Sequence, residues 1–140
     1  MRIIYPKDDG GVAVVIPTAE FLQDHTMEDL AARVVPAGAA YEIVEDDVVP
    51  SDRTFRDAWV KDKRHVKVHM GKAKEIAHER RRAARAADFV PFDQVIAMQI
   101  PGKSAQAAEA ERAKIRAKYD VMQTAIDAAK TPDEIKKAME

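Results

Sequence analysis

The sequence contains no cysteine, which excludes disulfide bonds, thiolate metal sites and cysteine nucleophiles, and fits a chain made in a reducing compartment. It has no apolar run approaching the roughly 20 residues that cross a bilayer. Residues 1–6 lack the apolar core of a signal peptide. The expectation is a chain that stays in the cytoplasm of the cell that makes it and meets no membrane. Serine is confined to Ser51 and Ser104; both precede helical patterns and read as caps, and neither lies in a Gly-x-Ser-x-Gly elbow. Gly10 and Gly11 are not followed by the Lys and Ser/Thr of a phosphate loop, and the spaced oxygen ligands of a calcium loop are missing around Asp8 and Asp9. His65 and His69 sit about 13 Å apart along an extended strand, too far to share a metal. His78 lacks the second histidine of a zincin helix and reads as a helix-surface residue. Asp52 and Asp57, five apart, do not face each other as an acid–base pair. No catalytic residue, metal ligand or cofactor is therefore expected, and the chain reads as no enzyme.

What the sequence does contain is 34% charged and 46% apolar residues in 140 positions, enough for one small domain or a small domain with a helical extension. The formal charge of −1 hides an asymmetry. Residues 1–70 carry 9 basic and 13 acidic side chains, residues 71–140 carry 14 and 11, so the two halves attract each other, within a molecule or between copies.

Ile3, Ile4 and Tyr5 read as a strand; Asp9, Gly10 and Gly11 turn it, and residues 12–16 return as its hairpin partner. Thr26 with Asp29 has the spacing of a capping box, predicting a two-turn helix over 27–33 that presents Met27, Leu30, Ala31 and Val34. Residues 41–44 read as a strand. The stretch 50–59 holds the only tryptophan: Ser51 and Asp52 would cap a short helical turn placing Phe55 and Trp59 on one face as a structural anchor. The polar run 61–64 would turn the chain into a strand over 65–70 with Val66, Val68 and Met70 on one face.

From Gly71 the period changes. Residues 72–88 predict a helix of about 17 residues, about 25 Å long, with a thin stripe of Ala73, Ile76, Ala77, Ala84 and Ala87. Phe89, Pro91 and Phe92 are expected to break it, leaving 95–100 as an extended connector or strand. Ser104 opens the longest helix, in which Ala108, Ile115, Tyr119, Met122, Ile126 and Ala129 form one seam interrupted at Arg112. At about 40 Å this helix either pairs with 72–88 as a hairpin or reaches another subunit. Ala110, Ala113 and Ala117 make a second, small-residue stripe suited to close helix approach. Thr131, Pro132 and Glu134 start a last short helix. The fold class expected is α+β: a small antiparallel β module with a short helix over 1–70, then a C-terminal helical hairpin or extended helical segment over 71–140.

Lys72, Lys74, Arg80, Arg81, Arg82 and Arg85 are the one feature suited to a polyanion, with Arg80, Arg81 and Arg85 the expected contacts. Interleaved acids and the absence of stacking aromatics beside these arginines count against nucleic acid.

Several segments together resemble a family of small proteins of tailed bacteriophages, common in marine phages and prophages and encoded near virion structural and tail-fibre genes. They are residues 1–6 with 9–12, 36–38 leading to 41–44, 50–59, 72–74 with 78–81, 116–119 and 131–136. The most specific is the octapeptide Asp-Arg-Thr-Phe-Arg-Asp-Ala-Trp at 52–59, and the resemblance spans nearly the whole chain. It implies a virion or virion-assembly role and carries no catalytic or binding residue over. The expected function is a non-enzymatic structural or assembly-accessory protein of tail or capsid, acting through protein–protein contacts as a homo-oligomer or with other phage structural proteins. Its expected locations are the host cytoplasm during assembly and the virion. The alternative is a small phage regulator or inhibitor that binds a host protein or nucleic acid through the basic helix 72–85.

Overall fold

The computed structural model describes residues 1–140, which form two compact units, Met1–His69 and Met70–Glu140. The fold is α+β, with small antiparallel sheets followed by C-terminal helices.

In the first unit, β1 (Arg2–Pro6) is the central strand of a three-stranded antiparallel sheet, between β2 (Val12–Val15) and β3 (Glu42–Val44). The β1–β2 turn closes as its residues demand: Gly10 takes φ 82, and the Asp9 carboxylate accepts from the Gly11 amide at 2.8 Å. In β1, Ile3 pairs with Val15 and Ile43, Ile4 with Val14 and Glu42. Alternation therefore sends Ile3 to one face and Ile4 to the other, and both are fully buried.

Each face has its own cover. Ile3 packs with Met27 and Ala31 of α2 (Met27–Val34), joined by Leu30 and Val35. The helix starts at the capping box foreseen, with Thr26 and Asp29 exchanging side-chain-to-backbone bonds. The Thr26 amide is also the main reason that the Asp29 carboxyl lies below the usual carboxylate range. Val34, expected on the buried face, is exposed, and Val35 packs in its place. A single turn, α1 (Phe21–Asp24), precedes α2 and stacks Phe21 on His25.

Ile4 packs with Val44, Val49, Trp59 and Val66. The last two belong to a ribbon of β4 (Trp59–Asp62) and β5 (His65–Val68) that the sequence reading missed in part. The polar run 61–64 is half strand: Lys61 and Asp62 pair with Val66 and His65, and only Lys63 and Arg64 turn, Lys63 at φ 54. Met70, assigned to that strand, instead begins the next helix. The octapeptide also differs from expectation. Its helical turn is a 3-10 turn over Arg56–Ala58 with no side-chain cap. Asp52 is used one step earlier, accepting from the Thr54 amide and hydroxyl at 3.0 and 2.6 Å. Phe55 and Trp59 are nevertheless both 3% exposed.

The second unit is built on two long helices. α3 runs from Met70 to Met98, 29 residues, straight through Phe89, Pro91 and Phe92. Residues 95–98, expected as a connector or strand, are its last turn. The chain leaves it at Gln99, φ 47, and a turn over residues 100–103 puts Gly102 at φ 77 after Pro101. α4 (Ala105–Ala128) is capped by Ser104, and α5 (Pro132–Ala138) by Thr131 with Pro132 at its start.

The pairing of α3 with α4 is antiparallel. Asp93 meets Arg112, Asp88 meets Tyr119 and His78 meets Asp127, so partners fall in number on α3 as they rise on α4. At 1.5 Å per residue α3 is about 44 Å long and α4 about 36 Å. The first long helix is therefore long enough to cover the second along its whole length, which a 17-residue helix ending before Pro91 was not.

Candidate functional site

The seam of α4 is used inside the chain. Ala108, Tyr119, Ile126 and Ala129 are buried, with Ile115 and Met122 half-buried between them, and the polar groups along the seam find partners on α3. Of the two covers expected for Ala108, Ile115, Tyr119, Met122 and Ile126, the hairpin and another subunit, the structure shows the hairpin, so this seam does not await another polypeptide: Asp88 meets Tyr119, His78 meets Asp127, and only at Arg112 do the extra turns of α3 supply the partner. Arg112, the interruption in the seam, reaches Asp93 at 2.9 Å and Glu109 at 2.8 Å while lying 5.5 Å over the Phe89 ring. Its charge is thus answered by two acids and an aromatic face. Glu109 also accepts from Arg116 at 2.6 Å, the main reason its carboxyl lies below the usual range, with Arg112 contributing second.

Tyr119 donates its hydroxyl to Asp88 at 2.5 Å. That bond, followed by burial, raises the phenol above its ordinary value near 10. A raised folded value means that the contribution to stability is whole below the unfolded phenol pKa and is lost as pH climbs through the folded one. Tyr119→Phe is expected to cost about 1–2 kcal/mol, because it removes a bond to a carboxylate. Denaturant titrations at pH 7 and above pH 10 check this; the cost should shrink at the higher pH, and an equal cost at both would remove the Asp88 bond as its source.

The buried stripe of α3 is not the one foreseen. Ala73 and Ala77 are fully buried and Ile76 half-buried, but Ala84 and Ala87 are exposed; the stripe passes instead through Arg81, and Arg85 and Asp88 are half-buried. Arg81, 9% exposed, donates Nε–H to His78 Nδ1 at 3.3 Å, and His78 Nε2 lies 2.7 Å from the Asp127 carboxylate. Lys74 donates to the Asp127 carbonyl at 2.9 Å. His78 is therefore no helix-surface residue: it bridges the two helices, donating from Nε2 if it accepts at Nδ1. Spacing within α3 could not show this, because Asp127 lies on α4.

The same geometry divides the expected polyanion contacts. Arg80 and Arg82 stay exposed, but Arg81 is bonded to His78, and Arg85 lies 5.1 Å over the Phe89 ring. Arg80, Arg81 and Arg85 are thus not presented together to a ligand. Burial of Arg81 in the hairpin removes the central member of the set.

The remaining candidates separate as well. Ser51 caps no helix, Asp57 is exposed, and His65 and His69 are exposed on and just beyond β5. Phe55 and Trp59 are core, with Trp59 in the same cluster as Ile4 and Val66. No group of three His, Asp or Glu side chains is arranged to hold a metal ion, and no helix is long and apolar enough to cross a membrane.

One side of α4 is left uncovered. On α4, Ala110, Ala113 and Ala117 are exposed and Val121 is 71% exposed, at spacings of three, four and four residues. Residues so spaced share one side of a helix. Comparison with protein-family models, with curated proteins and with solved structures gives no match.

Proposed function

We propose that this chain is a non-enzymatic structural or assembly-accessory protein of a tailed bacteriophage, acting through protein–protein contacts, and that its first partner is a second copy of itself. The observation that carries the reading is the uncovered side of α4, where three alanines and Val121 face water while the opposite side is buried against α3. Small residues at this spacing let two helix backbones approach closely, and a twofold axis makes such a contact self-complementary. With two antiparallel α4 helices crossing at Ala117, positions three and four away on either side meet: Ala113 opposes Val121, and Lys114 opposes Asp120. Asp120 has no side-chain partner within its own chain, and Lys114 is 73% exposed, held only by Glu111. The octapeptide at 52–59 and the other segments resembling phage proteins supply the setting.

The test is the mass of the particle in solution. Light scattering at micromolar concentration is expected to give a dimer, and Ala117→Glu with Val121→Asp a monomer of unchanged helicity, since neither side chain supports the hairpin. A monomer before substitution removes the self-association. Absence from purified virions and from assembly intermediates removes the phage-structural role. The regulator reading has less support, because Arg81 and Arg85 are engaged within the hairpin.

A further inference from the structure

We propose that the cavity bounded by Arg2, Arg53, Arg56 and Trp59 in the first unit is a binding site for a small organic anion, one phosphate or carboxylate group carried on an apolar body. The cavity holds about 300 Å³, at the lower end of the range in which proteins hold small ligands. β1 contributes Arg2, β2 contributes Val14 with Ile16 just beyond its end, and the octapeptide contributes Arg53, Arg56 and Trp59.

Its lining carries three guanidinium groups and no carboxylate. Arg2 alone has a counter-ion, Asp46, 3.3 Å from its Nε. Arg53 and Arg56 are exposed and form no side-chain hydrogen bond or ion pair. Some cations elsewhere have close partners, Arg112 with two acids, Arg116 with Glu109 and Lys67 with Asp62; what sets Arg53 and Arg56 apart is that they share one cavity with Arg2. Unanswered like charges around one concavity repel, and an anion between them reverses the sign of that interaction. The guanidinium fork also matches the paired oxygens of a carboxylate or phosphate, which a single ammonium does not.

A second observation lies in the same wall. Trp59 is 3% exposed, and its indole Nε1 is buried without an acceptor. A buried indole N–H ordinarily finds one, and Trp59 borders the cavity. Ser51 adds a hydroxyl donor at the rim. The lining also has an apolar part, Val14, Val49 and Ile16, the last 60% exposed. An anionic head on the arginines with an apolar body against Ile16 fits both parts, and the volume is too small for a polymer.

Trp59 is the only tryptophan, so its fluorescence and its single indole N–H resonance report on the cavity directly. The full chain is titrated at constant ionic strength with phenyl phosphate, with benzoate and with chloride. A saturable shift of the indole signal is expected with phenyl phosphate or benzoate, and whichever saturates at lower concentration names the head group. Arg53→Gln with Arg56→Gln is expected to raise the midpoint by at least about tenfold by removing two charge-assisted contacts. Ser51→Glu, which places a carboxylate at the rim, is the second variant and is expected to abolish the response. An indole signal that never saturates, that chloride reproduces, or that both variants leave unchanged overturns the site. None of these outcomes bears on self-association through α4, which is read by mass.

Discussion

Trp59→Ala is expected to lower the stability of the Met1–His69 unit by about 3–5 kcal/mol, the usual cost of emptying a large aromatic site. Trp59 is 3% exposed, opens β4 opposite Val68, and shares a cluster with Ile4, Val44, Val49 and Val66. Ile4 and Val44 belong to the three-stranded sheet and Val66 to the ribbon, so the ring is a main contact between the two. A domain has about 5–15 kcal/mol in total, and the loss is therefore a large share of what the unit can have. Trp59→Phe keeps much of the buried area and removes an indole N–H that has no acceptor, so it is expected to cost less than half as much. Denaturant unfolding of both variants, followed by far-ultraviolet circular dichroism, checks the order. A Trp59→Ala cost no larger than that of Trp59→Phe would mean that the ribbon is held by other contacts.

Pro91→Ala is expected to act in the opposite direction, stabilising the Met70–Glu140 unit by up to about 3 kcal/mol, the cost of a proline inside a helix. Pro91 lies within α3, with helix on both sides. Having no N–H, it leaves the Ala87 carbonyl without its donor four residues on. The helix persists because residues beyond the proline are held by α4: Asp93 pairs with Arg112, and Phe92 and Val95 border a groove shared with Ala107 and Ala108. Tertiary contacts thus outweigh a local penalty. Thermal unfolding monitored at the helix signal decides it. If Pro91→Ala is neutral or destabilising, α3 does not continue as helix through Pro91.

The proline shows where reading from the sequence stops. Most structure that closes through bonds within about four residues is announced by those residues, the turn of Asp52 onto Thr54, expected as a helix cap, being the exception. Thr26 with Asp29, Ser104, and Thr131 with Pro132 each start a helix where expected, and Asp9, Gly10 and Gly11 make the first hairpin turn. The periodicity of Ala108, Tyr119 and Ile126 likewise revealed the face of α4 that is buried. What it left open was the partner. With α3 taken to end at 88, a hairpin with that helix and a second subunit both stood as covers for the seam.

The same limit applies to each correction. β4 begins at Trp59 because residues 65–68 pair with it, and nothing within 59–62 says so. Arg81 and Arg85 belong to a basic run by sequence, yet His78, Phe89 and the approach of α4 turn them inward. Arg2 stands some fifty residues from Arg53 and Arg56, and their shared cavity exists only once β1 and the octapeptide lie side by side.

Composition and local pattern by themselves determined the α+β class, the absence of cysteine chemistry, the caps, the first hairpin and the buried side of α4. Only the tertiary structure decided that α3 runs through Pro91, that α4's seam is filled from within, and that three arginines border one cavity. Caps and turns are settled by hydrogen bonds between near neighbours in the chain, whereas these three features depend on surfaces that meet only after distant segments have packed.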